Sequence, residues 1–166
     1  MSIAGKGIET IEYDKALVQG KKIALVVTRW NTFIVDKLQE GAIAHLLDHG
    51  IAESDISIFK CPGAFEVPLA CQQIAEQGDV DGIIALGAVI RGGTPHFEYV
   101  AGECVRGLSQ VNLDYGLPVA FGVLTVDNEQ QALDRSGQGG EGSENKGEES
   151  AAAVLEMISL LASIKG

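Results

Sequence analysis

Gly82-Ile83-Ile84-Ala85-Leu86-Gly87-Ala88-Val89-Ile90 runs directly into Arg91-Gly92-Gly93-Thr94-Pro95-His96-Phe97-Glu98-Tyr99, and the fold turns on how that passage is read. The first segment is apolar almost throughout, without alternation, so it predicts a strand buried on both faces, as in a parallel sheet. The second reads as a helix start. Thr94 serves as the expected N-cap and Pro95 as the first helical residue, with the helix running to Tyr115 and closed by Gly116. Gly92 and Gly93 free the backbone in between, so the junction presents N–H groups at a helix N-terminus, a ready anion site. His96 falls on the first turn as a candidate proton acceptor. A capped turn carrying a surface histidine is the plain alternative.

Working outward, Lys22 to Val27 is a second continuous apolar run and predicts another buried strand. Phe33 to His49 places Ile34, Leu38, Ile43, Leu46 and Leu47 at helical spacing and ends at Gly50. Ile56 to Phe59 predicts a strand, cut by Cys61-Pro62-Gly63. Phe65 to Gln77 predicts a helix with Pro68 in its first turn, where a missing N–H matters little. Downstream, Pro118 to Val126 predicts a strand, Asn128 to Ser136 a short helix and Gly147 to Ile164 an amphipathic one. The polar connector Gly137 to Glu144 separates those last two helices. Residues 1–20 are weakly patterned and are expected to form an N-terminal arm, with a short strand near Ile8 to Tyr13.

Buried strands alternating with helices imply right-handed crossovers. The expectation is an α/β chain, with residues 1–166 as a single domain. Its architecture is a three-layer sandwich of the flavodoxin-like kind, around a four-stranded, mostly parallel sheet. Such folds bind ligands beyond the carboxyl ends of their strands, so the chemistry is expected just after Val27, Lys60, Ile90 and Thr125.

Composition excludes several classes of function. The formal charge is 12 − 23 = −11, which disfavours nucleic acid and anionic membrane surfaces as partners. No apolar run approaches the ~18 residues of a membrane span, and the first residues lack a signal-like apolar core. A cytoplasmic location is expected. Cys61, Cys71 and Cys104 form no C-x-x-C motif and match no zinc spacing, so buried thiols and no metal are expected. His45 and His49, four apart on one helix, lack further ligands and read as a partly exposed pair. Gly87 to Thr94 resembles a P-loop in spacing, but Gly93 stands where the lysine must be. No dinucleotide fingerprint follows the first strand either.

Other strand ends carry candidate groups. Trp30, the only tryptophan, sits at a strand-to-helix junction, as a ring for stacking a flat ligand or as a helix-start staple. Glu66 is placed either to accept hydrogen bonds from a polyol or simply to complement a helix N-terminus. Arg135 ends a short helix, as a bidentate phosphate clamp or as a cation at the helix C-terminus. Lys146 begins the last helix, where it could steer an anion.

Taken in order, several strings resemble lumazine synthase, a family of riboflavin biosynthesis. They are Arg29-Trp30-Asn31, Pro62-Gly63-Ala64-Phe65-Glu66-Val67-Pro68, and Gly87 to Tyr99 apart from Gly93. Further strings are Phe121 to Thr125, Gln131-Ala132, Arg135, and Asn145-Lys146-Gly147. The resemblance implies condensation of 5-amino-6-(ribitylamino)uracil with 3,4-dihydroxy-2-butanone 4-phosphate to 6,7-dimethyl-8-ribityllumazine, with release of phosphate and water. It implies no metal and no organic cofactor. Trp30 would stack on the pyrimidine, Asn31, Ala64 and Glu66 would line the ribityl side, and Phe65 would also bind substrate. Val89 and Ile90 would border the pyrimidine. Gly93 and Thr94 would hold the phosphate with Arg135, and His96 would transfer protons. The resemblance further implies a homo-oligomer, a pentamer with active sites between subunits. Phe121, Arg135 and Lys146 would then come from the neighbouring chain. The connector looks a few residues longer than in members that form sixty-subunit shells, which predicts a free pentamer or at most a pair of pentamers. A flavin-binding protein of the same fold and a purely structural shell protein are the rival readings.

Overall fold

A computed structural model describes residues 14–165 of the chain. Its elements follow in the order α1 (Lys15–Val18), β1 (Ile23–Thr28), α2 (Thr32–Asp48), β2 (Ile56–Cys61), α3 (Val67–Gln77), β3 (Gly82–Ile90), α4 (His96–Tyr115), β4 (Val119–Val126), α5 (Glu129–Arg135) and α6 (Lys146–Lys165). Short 3-10 turns at Glu53–Asp55 and Ala64–Glu66 precede β2 and α3. The expected strand near Ile8 to Tyr13 lies outside the described residues.

The four strands form one sheet in the order β2-β1-β3-β4, and each neighbouring pair is parallel. Every residue of β1 is buried, as its unbroken apolar run requires. Alternate side chains feed two separate cores. Ile23, Leu25, Val27, Ile84 and Leu86 meet α2 and α6 on one face. Ala24, Val26, Ile83 and Ala85 meet α3 and α4 on the other. The result is the flavodoxin-like three-layer sandwich. From β1 the chain winds toward β2, and from β3 it winds the other way toward β4. The direction therefore reverses between β1 and β3, the position at which such sheets open a crevice.

Some boundaries differ from the expectation. β2 runs to Cys61 rather than Phe59, because pairing with β1 continues through Thr28↔Cys61. α4 begins at His96 with Pro95 as N-cap, and no side chain caps it, so Thr94 is not the cap. Pro95 takes φ −64° and ψ 2°, which shifts the helix start one residue along. Within the expected arm, Asp14 caps the short α1, accepting a hydrogen bond from the Ala16 N–H, and Val18 is buried.

α3 and α4 approach closely at Gly107, where a Cβ would stand 2.6 Å from the Pro68 Cβ. All three cysteines are buried and unpaired. Burial raises the Cys61 and Cys71 thiols and pushes Cys104 up to about 12, so they behave as inert core groups. The connector between α5 and α6 is drawn closed at its neck. Ser136 bridges Asn145, and the Gly137 N–H donates to the Glu144 carbonyl at 3.0 Å. No helix among the described residues is long and apolar enough to cross a membrane.

Candidate active site

A cleft of about 610 Å³ opens at the carboxyl ends of β1 and β3. Four short segments line it. Thr28, Trp30 and Asn31 follow β1; Gly63 to Glu66 follow β2; Ala88, Val89 and Ile90 end β3; His96, Tyr99, Val100 and Glu103 come from one face of α4. Eight residues singled out from sequence thus share one cavity: Trp30, Asn31, Ala64, Phe65, Glu66, Val89, Ile90 and His96.

Each wall has a local cause. Asn31 takes the left-handed conformation at φ 58°, the one non-glycine residue with positive φ among the described residues. Asparagine tolerates that conformation better than most side chains. Its side-chain amide donates to the Ala88 carbonyl at 3.0 Å, which leaves Trp30 projecting at the rim, 71% exposed. Gly63 sits beneath the indole: a Cβ there would lie 3.2 Å from Trp30 Cδ1 and 3.3 Å from Glu66 Oε2. The absence of a side chain at Gly63 therefore sets how closely the ring and the carboxylate converge. The Thr28 hydroxyl is buried and has no hydrogen-bond partner among the described residues.

The loop Arg91 to Pro95 joins β3 to α4 at the edge of the cleft. No described residue apart from the adjoining ones lies within 4 Å of where a Cβ would stand on Gly92 or Gly93. Neither glycine has a positive φ. Their smallness therefore answers no demand of the fold and leaves backbone open to an outside group. Thr94 is likewise exposed. Arg91 closes the loop from the side. Its Nε donates to Asp127 at 2.8 Å, its Nη1 donates to Glu98, and its guanidinium lies 4.1 Å above the Phe97 ring. The Arg91 hydrogen bond holds the Glu98 carboxyl below the usual carboxylate range.

Phe121, Arg135 and Lys146 do not line the cleft of their own chain. Phe121 is half exposed on the edge strand β4. Arg135 donates from Nη1 to the Gln131 carbonyl at 3.1 Å, the helix-end contact of the plain reading. Lys146 lies 2.7 Å from both Glu144 and Glu149. Burial opposes its charge, but the two carboxylates outweigh burial and raise its pKa. Its own carboxylates thus offset the positive charge expected to steer an anion.

His45 and His49 stack at 4.0 Å between ring centroids. Among the described residues no group of His, Cys, Asp or Glu could hold a metal.

Thr28, Ala88, Tyr99, Val100 and Glu103 are lining residues that the strand-end reading missed. The last three follow His96 at helical spacing, so the periodicity of α4 held the signal that would have found them. A family model described as 6,7-dimethyl-8-ribityllumazine synthase matches residues 20–162, and the chain belongs to that family.

Proposed function

We propose that this member of the lumazine synthase family condenses 5-amino-6-(ribitylamino)uracil with 3,4-dihydroxy-2-butanone 4-phosphate to 6,7-dimethyl-8-ribityllumazine. The observation that carries the reading is the pairing of a cleft walled by Trp30 and Glu66 with an adjoining glycine-opened loop that ends at His96. An aromatic wall suits a flat pyrimidine, and a carboxylate suits ribityl hydroxyls. Open backbone N–H groups at a helix start suit a phosphate.

In the proposed sequence, the pyrimidine's 5-amino group attacks the butanone carbonyl, and water leaves to form an imine. His96 removes the proton from the carbon beside the imine. The electron pair expels phosphate from the next carbon. The resulting enol becomes a ketone, the ribityl-bearing amine attacks that ketone, and a second water leaves as the ring closes. Neither oxidant nor reductant is consumed. Holding both reactants together supplies most of the acceleration, and His96 adds a general-base contribution at or below the low end of the roughly 10²–10⁴ typical of such groups.

We further propose that the working particle is a homo-oligomeric ring, a pentamer, with Phe121, Arg135 and Lys146 reaching the cleft of the next subunit. Their position away from the cleft of their own chain supports this arrangement. Light scattering measures the ring mass. Mixing the purified protein with the two substrates should produce lumazine fluorescence faster than the uncatalysed mixture does. A rate equal to the uncatalysed one would overturn the assignment and favour a passive flavin binder.

A further inference from the structure

Arg91 makes four contacts at once. Its backbone N–H extends the sheet by donating to the Val126 carbonyl at 2.9 Å. Its side chain reaches Asp127 beyond β4 at 2.8 Å and Glu98 in the first turn of α4, while its face covers Phe97 at 4.1 Å. Arg91 and Phe97 flank Gly92 to His96. One side chain therefore joins the two ends of the open loop to each other and anchors both to the neighbouring strand end. The loop glycines meet no described residue beyond their neighbours in sequence, so the span of the loop depends heavily on this tie. With Nε and Nη1 on carboxylates, Arg91 also balances charge: one guanidinium faces Glu98 and Asp127.

We propose that Arg91 is a positioning residue: by holding Glu98, Phe97 and Asp127 together it fixes the span of the Gly92–Pro95 loop, and through it sets the affinity for the phosphate-bearing substrate. The link to that substrate rests on the function proposed above. Two consequences follow from the geometry. Loss of the guanidinium frees the loop ends to separate, and it leaves two carboxylates unopposed beside a site that must accept an anion. Lysine restores the charge but cannot span two carboxylates with a planar fork.

Amide exchange and steady-state kinetics on the intact protein test the proposal. Arg91→Ala should speed exchange of the hydrogen-bonded amides that frame the loop, those of residues 91 and 98, by roughly tenfold or more and leave the amides of β1 unchanged. It should raise KM for the butanone phosphate about tenfold while changing KM for the pyrimidine by less than about twofold. Arg91→Lys should fall between the two proteins on both measures. Should Arg91→Ala fail to fold, the lysine variant carries the same comparison against wild type. Unchanged exchange at the amides of residues 91 and 98, or an equal rise in both KM values, would overturn the proposal. An inactive wild type would overturn the assigned reaction instead, and the exchange experiment would still decide whether Arg91 holds the loop.

Discussion

Asn31 donates its side-chain amide to the carbonyl oxygen of Ala88 across 3.0 Å, joining the segment after β1 to the end of β3. Those two strands flank the point where the winding direction of the sheet reverses. The bond holds together the two lips between which the cleft opens, and the left-handed backbone of Asn31 is what turns the chain back from Trp30 into α2.

Replacing Asn31 separates those two roles. Asn31→Gly keeps the backbone conformation and loses only the hydrogen bond, at about 1 kcal/mol. Asn31→Ala loses both, at about 2–3 kcal/mol. Urea unfolding measures the difference. Equal stability of the two variants would show that φ 58° is not strained in alanine here.

His96→Ala should lower turnover by roughly 10–100-fold and leave pyrimidine binding nearly intact, because holding the reactants together still operates. Single-turnover kinetics with saturating substrates checks this. Unchanged turnover would remove His96 from the proton transfer.

Gly93→Ala makes an unusual pair with Gly107→Ala. A methyl group at Gly93 meets no described residue beyond its neighbours in sequence, whereas one at Gly107 stands 2.6 Å from the Pro68 Cβ. Gly93→Ala should leave the thermal midpoint unchanged or raise it by about 1–4 °C, since its φ is not positive. It should still weaken the phosphate substrate. Gly107→Ala should cost about 1–3 kcal/mol through overpacking. Calorimetry together with KM for the butanone phosphate separates these outcomes, and a destabilised Gly93→Ala would contradict the open-backbone account.

Arg135→Lys should weaken the phosphate substrate far more than the pyrimidine, because lysine cannot reproduce bidentate binding. Equal weakening of both would mark Arg135 as a helix-end residue only, in keeping with its bond to Gln131. Mixed particles of His96→Ala and Arg135→Ala chains should recover activity if neighbours complete each cleft. Inactive mixtures, with exchange of subunits confirmed, would mean that each chain builds its own site.

Acid should lower the stability of the fold through His45. Burial lowers its pKa, the neighbouring His49 adds to that, and Glu148 and Asp48 oppose it. Its Nε2 is buried without a partner among the described residues. As pH falls below about 6.5, the unfolded chain takes up a proton that the folded His45 refuses, so stability declines until pH passes below the lowered pKa. Urea midpoints at several pH values should fall over that range in wild type and fall less in His45→Leu. Identical slopes would exclude His45 as the cause.

Much of this architecture was legible because burial on both faces leaves an unbroken apolar run, as in Ile23 to Val27 and Gly82 to Ala88. Chemistry at strand ends was legible for the same reason, since locating the strands locates their ends. The start of α4 was misplaced by one residue. Thr94-Pro95 has the composition of a cap and first helical residue, yet the backbone of Pro95 itself occupies the cap. Tyr99, Val100 and Glu103 went unnoticed because side chains of ordinary type gain a role only from the face they share with His96. The partners of Arg135 and Lys146 were unreadable for another reason: Gln131 is a backbone acceptor, and the carboxylates around Lys146 depend on how the connector closes.

That closure has a consequence for how the chain tolerates change. Because the Gly137 N–H meets the Glu144 carbonyl and Asn145 donates to the Lys37 carbonyl at 2.9 Å, both ends of the connector are moored to the body. The stretch between them is a detour rather than a spacer, and its length has no lever on where α6 begins. Any influence of a longer connector on assembly must come from the bulk it projects outward. The same mooring makes the tip, where Gly140 and Gly142 turn with positive φ, a natural splice point. A foreign peptide sewn in there would ride outside the body while the cleft beyond β1 and β3 kept its shape, turning the enzyme into a carrier of displayed sequences.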